Sequence, residues 1–105
     1  MEMMIKKVVT KKGNKDNFVN SIIKLNDTMR VANGFISAIL LDSKTHEDSV
    51  YLFSMWMDTD SLNAFDKLFT KNKAIYKCYI ESITSEPLDV ILSITTEGDF
   101  KPVVN

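Results

Sequence analysis

Two apolar runs of strand length dominate the middle of the chain. Residues 34–57 carry GFISAILLDS, a polar KTHED connection and SVYLFSMWM, the pattern of a β-hairpin with a loop longer than a tight turn. Alternation assigns Phe35, Ser37, Ile39 and Leu41 to one face of the first run and Ile36, Ala38 and Leu40 to the other. In the second run Val50, Leu52 and Trp56 oppose Tyr51, Phe53, Met55 and Met57. Both faces are apolar, so the pair needs a cover on each side.

The flanking pattern supplies one cover. Residues 3–10 (MMIKKVVT) predict a first strand, with Lys6 and Lys7 on opposite faces. Asn14 predicts the cap of a helix over 15–31, in which Phe18, Ile22, Leu25 and Met29 keep a helical period and Val19 and Ile23 widen the stripe. Asn33 and Gly34 end it with left-handed backbone. After the hairpin, Asp58 or Thr59 caps a second helix with Leu62, Phe65, Leu68 and Phe69 on its apolar side. A polar break at 70–73 leads to a further helical stretch in which Ile75, Tyr79 and Ile83 keep the period and Tyr76 and Ile80 broaden it. Pro87 interrupts, and 88–95 predicts the fourth strand, with Leu88, Val90, Leu92 and Ile94 on one face. The tail, 97–105, either clasps a partner through Phe100, Val103 and Val104 or frays.

The order is βαββαβ. It predicts an α+β, ferredoxin-like domain: a four-stranded antiparallel sheet with both helices on one face. The uncovered apolar face predicts a homodimer closed sheet to sheet. The whole of 1–105 reads as a single domain with its core over about 3–95.

Composition narrows the classes. Thirteen basic against fourteen acidic side chains give a net charge of -1, so nothing global favours nucleic acid or an anionic membrane surface. The cluster Lys6, Lys7, Lys11, Lys12 and Lys15 reads as a solvated strand end and helix entry. There is no signal-peptide pattern and no apolar run of membrane-spanning length, so a cytoplasmic location without membrane partners is expected. Cys78, the single cysteine, cannot form an internal disulfide and reads as an inert thiol. His46, the single histidine, sits in the polar hairpin loop, and Glu47 and Asp48 beside it lack metal-ligand spacing; no metal site is expected.

Three stretches carry a resemblance: GFISAILL at the entry to the second strand, Ser54, Met55 and Trp56 at the end of the third, and the helix start MDTDSLNAF. In these the chain resembles the antibiotic biosynthesis monooxygenase (ABM) superfamily of dimeric α+β barrels, over roughly residues 3–95. The resemblance implies a pocket between sheet and helices. Some members oxygenate aromatic polyketides or quinols there without metal or flavin. Another branch binds haem and opens it oxidatively. The helix position often held by His corresponds to Phe65. For the haem-degrading branch, the positions expected to hold Asn, Trp and His fall near Lys6, Phe65 and Ile75 or Tyr76, so that triad is absent. Haem is therefore disfavoured and no cofactor is expected, although Tyr76 has a phenol able to ligate iron.

The expectation is an ABM-like, cofactor-independent monooxygenase acting on a small aromatic or quinol-type compound. The alternative is a non-catalytic module of the same fold that binds an apolar small molecule or haem. Trp56, Asn63 and Tyr76 are the candidate catalytic groups, each with a hydrogen-bonding side chain suited to orienting a phenolic oxygen. Ser37, Tyr51, Ser54, Phe65 and Tyr79 are the candidate ligand contacts. Core packing, a local hydrogen bond or, for Asn63, a solvent-facing place on the helix is the simpler account of each of these side chains.

Overall fold

The computed structural model describes residues 1–101, with the side chain of Phe100 excepted. The tail residues Val103 and Val104 lie outside the described residues. The principal strands are β1 (Glu2–Thr10), β2 (Phe35–Asp42), β3 (Ser49–Trp56) and β4 (Ile80–Asp89). They form one antiparallel sheet in the order β2-β3-β1-β4. The ferredoxin-like arrangement expected from the element order is the one observed.

Helices cover one face. α1 (Lys15–Ile23) and α2 (Asn26–Arg30) replace the single helix expected over 15–31. The break lies at Lys24 and Leu25, where the Leu25 amide donates to Ile22 O at 2.9 Å in a tighter turn, ahead of the weak helix formers Asn26, Asp27 and Thr28. Ile23, expected to widen the apolar stripe, is exposed. The Asn14 side chain makes no helix cap; it donates to Lys12 O. α3 (Thr59–Lys71) lies over β1 and β3 and is capped as expected by Asp58, whose carboxylate accepts the Ser61 N–H at 2.8 Å. That hydrogen bond holds the Asp58 carboxyl below the usual carboxylate range.

Gly34, at φ 74°, makes the left-handed turn into β2. A Cβ at this position would also collide with the Ser61 side chain, so the start of α3 fits against bare backbone.

The second half of the chain departs most from expectation. After α3, two single 3-10 turns (Lys73–Ile75 and Lys77–Tyr79) lead straight into β4, where a helix had been expected through Ile83. The cause is a β-bulge. Val9 pairs with Ser82 and Thr10 with Ile80, which leaves Glu81 as an extra residue. Ile80 and Ile83 thus face the same side three residues apart, a spacing that mimics a helix. Pro87 lies inside β4, opposite Met4, on the outermost strand of the sheet. The expected strand over 88–95 is instead the end of β4 followed by β5 (Ser93–Thr95), which pairs with β6 (Gly98–Phe100) in a separate hairpin.

Met4, Val8, Val50, Leu52 and Trp56 project from the sheet into the core, meeting Phe18, Ile22 and Met29 from α1 and α2 and Leu62, Phe65 and Phe69 from α3. A second bulge, at Ile36 in β2, turns Phe35 to the helix side, against the face that simple alternation gives it; its ring packs edge-on to Trp56 at 5.3 Å. The opposite face of the sheet carries Met3, Ile5, Tyr51, Phe53, Met55, Ile39 and Leu41, the last two 55% and 40% exposed. Among the described residues no helix is long and apolar enough to cross a membrane.

Candidate functional site

Alternation along β1 places Met4, Lys6 and Val8 on the helix side. An ammonium at the middle position therefore enters the core layer, and Lys6 is only 3% exposed. A charge so placed is costly unless it is paired and hydrogen-bonded. It is both. Nζ donates to the Asp66 carboxylate of α3 and, at 2.8 Å, to Ser85 Oγ of β4, and it lies 4.9 Å from the centroid of the Phe69 ring. A lysine has three donors. Two protein acceptors meet them among the described residues, so one N–H remains for a further acceptor.

That ammonium forms one wall of a cavity of about 290 Å³ between α3, β1, β4 and the two 3-10 turns. Phe69, Tyr76, Ile80 and Ile83 supply its apolar surfaces, and Asp66, Thr70 and Ser85 its neutral and acidic polar groups. The bulge at Glu81 is what brings both Ile80 and Ile83 to this side. The Tyr76 hydroxyl, buried, donates to Phe69 O at 3.0 Å. Burial, and secondarily the Asp66 charge, push its ionisation above the ordinary phenol value, so it remains a neutral donor. The phenolate that a ferric ion would need from Tyr76 is disfavoured on both counts.

An aromatic row runs from this cavity through the core. Tyr76 packs on Phe69 at 4.7 Å, Phe69 approaches Phe65 at 6.1 Å, and Phe65 stacks on Trp56 at 4.8 Å. Trp56 is completely buried, and its indole N–H donates to Ser54 Oγ at 3.0 Å. Trp56, Ser54 and Phe65 therefore form one packed unit behind the cavity.

The other residues singled out in the sequence are dispersed. Asn63 is exposed on α3, one turn before Asp66 and outside the cavity lining. Ser37 and Tyr51 lie on the open face of the sheet, Tyr51 with the Lys7 ammonium 6.0 Å from its ring centroid. Tyr79 is partly buried against the core cluster. Of the eight candidates, Tyr76 alone lines the cavity. Lys6, Asp66, Phe69 and Ser85 were missed. The available signal was a lysine at an inward strand position between Met4 and Val8, with an acid at the edge of the α3 apolar stripe. Two hollows of about 400 and 450 Å³ lie on the open sheet face, around Lys7 and Tyr51 and around Met55 and Leu88. Neither contains a buried charge.

No family model matches the chain, and no curated protein does. Solved structures match its fold. SnoaB, a cofactor-independent oxygenase from Streptomyces nogalater, superposes with a TM-score of 0.73 at 11% identity, over 85% of this chain and 91% of its own. A structure described as an antibiotic biosynthesis monooxygenase matches with a TM-score of 0.73 at 15% identity, over 87% of this chain and 99% of its own. Protein SO0527 from Shewanella oneidensis matches at 0.68 and 18% identity, over 83% and 87%. The chain thus has the fold of the ABM superfamily.

Proposed function

We propose that the protein is an ABM-type monooxygenase that oxidises a small aromatic or quinol-type compound with molecular oxygen and without a resident cofactor. The observation that carries this reading is the buried Lys6 ammonium in the wall of an otherwise aromatic and aliphatic cavity. A cavity of this volume suits a compound of one or two rings. Its ring packs against Phe69, Ile80 and Ile83, and its ionised hydroxyl accepts the remaining N–H of Lys6. The Asp66 carboxylate receives the hydroxyl proton. A fixed cation in a water-poor site stabilises the developing anion without solvent reorganisation.

The anion transfers one electron to oxygen, and the resulting radical and superoxide combine through a new C–O bond. Where that carbon carries a hydrogen, Asp66 returns its proton to the peroxide, and the carbon's own hydrogen leaves as a proton as the O–O bond breaks. One oxygen atom remains as a carbonyl and the other leaves as water. Trp56, with Ser54 and Phe65, acts in this reading by fixing the Phe69 wall. The shared fold with SnoaB supports the reaction class.

Purified, metal-stripped protein given an autoxidisable quinol of one or two rings should show saturable oxygen uptake above heat-denatured protein and above bovine albumin. Equal rates in all three samples would reject the oxygenase and leave a binding module of the same fold.

The open apolar face supports a homodimer closed sheet to sheet. Light scattering at micromolar concentration should give twice the 12.0 kDa chain mass. A monomer under those conditions overturns that assembly.

A further inference from the structure

We infer that the substrate is a hydroxyaryl carboxylic acid, its ring hydroxyl directed at Lys6 and its carboxylate held at the cavity mouth by Lys73 and Lys77. This rests on the oxygenase reading for the location of the ring and extends it to the ligand's charge. Four charged side chains line the cavity: Lys6, Lys73, Lys77 and Asp66. Asp66 is already engaged by Lys6, so the remaining lining charge is the pair of exposed lysines. The chain as a whole has a net charge of -1, so this positive mouth is local and not a reflection of composition.

The chain path explains the placement. Lys73 and Lys77 each open one of the two consecutive 3-10 turns, and Tyr76 between them turns inward. The two lysines thus border the cavity from exposed positions while the buried phenol between them closes the wall. A ligand lying between them meets a cation at its inner end, flat apolar surfaces along its ring and two cations at its outer end. An uncharged quinol leaves the outer pair in water. A carboxylate engages it.

Anaerobic calorimetric titration of the purified chain at low ionic strength, with 2,5-dihydroxybenzoate and with its methyl ester, tests this. The acid should bind about tenfold more tightly, the sum of two exposed ion pairs. Lys73→Gln/Lys77→Gln should abolish that ratio. Lys11→Gln/Lys12→Gln, which removes two lysines outside the cavity, should preserve it. Equal affinity of acid and ester in the wild type, or a ratio that survives loss of Lys73 and Lys77, overturns the inference. If the ester binds as well as the acid and is still oxidised, the oxygenase reading stands and the carboxylate assignment fails. If the acid is preferred but no oxygen is consumed, the anion-binding pocket stands and the oxygenase reading fails.

Discussion

Replacing Lys6 with methionine should lower kcat for oxygen uptake about a hundredfold, the usual effect of removing one preorganised donor to a developing anion. Stability should change by no more than about 1 kcal/mol, because losing one partner of an ion pair is strongly destabilising only where it strands the other charge in the interior. Asp66 permits this outcome: its side chain is 40% exposed and remains hydrated when its partner is lost. The substitution therefore separates chemistry from folding. Oxygen-electrode kinetics and a thermal melt on the same preparation make the comparison. Uptake within twofold of wild type would remove Lys6 from the reaction, and a collapsed melt would make its role structural.

Trp56→Ala should have the largest effect on stability, about 3–5 kcal/mol. Trp56 is fully buried, stacks on Phe65, meets Phe35 edge-on and donates to Ser54. Removing it empties the centre of the aromatic row and leaves the Ser54 hydroxyl without that donor. Domains of this size are stable by only about 5–15 kcal/mol, so the variant approaches the threshold of folding. Trp56→Phe keeps a ring against Phe65 and should cost about 1–2 kcal/mol. Urea denaturation of both variants checks the ordering. A loss below about 1 kcal/mol for the alanine variant would contradict the packing described for this residue. A phenylalanine variant with normal stability and abolished turnover would restore the indole to the chemistry.

The parts of the fold that were legible in the sequence follow simple periods. β1, β3, the part of β2 beyond Ile36 and α3 each keep one uninterrupted alternation or helical stripe, and Asp58 stands where a cap belongs. The misreadings occurred where a single residue shifted the phase. Glu81 put Ile80 and Ile83 three apart on one face, so a strand looked like a helix; Ile36 moved Phe35 across the sheet; and the tight turn at Leu25 divided a helix that its apolar stripe made appear continuous. The site was harder to read because its parts come from distant segments. Lys6, Asp66 and Ser85 meet only once β1, α3 and β4 are assembled. Lys6 looked like one member of a solvated basic cluster because Lys7 beside it faces the open side of the sheet and Lys11, Lys12 and Lys15 lie at the strand end and helix entry. Tyr76 was found because a phenol in an aromatic context is a donor wherever the backbone places it.

The two bulges and Pro87 also determine how far the sheet can grow. β2 and β4 are its outer strands, and each is irregular: β2 at Ile36, β4 at Glu81 and again at Pro87, which has no N–H to offer a neighbouring chain. A regular outer strand is a template for open-ended strand addition, and kinks and prolines are what blunt it. The molecule thus combines an inviting apolar face with uninviting borders. Sideways polymerisation into fibrils is obstructed, so growth along the sheet edges is closed to the molecule whatever covers its open face.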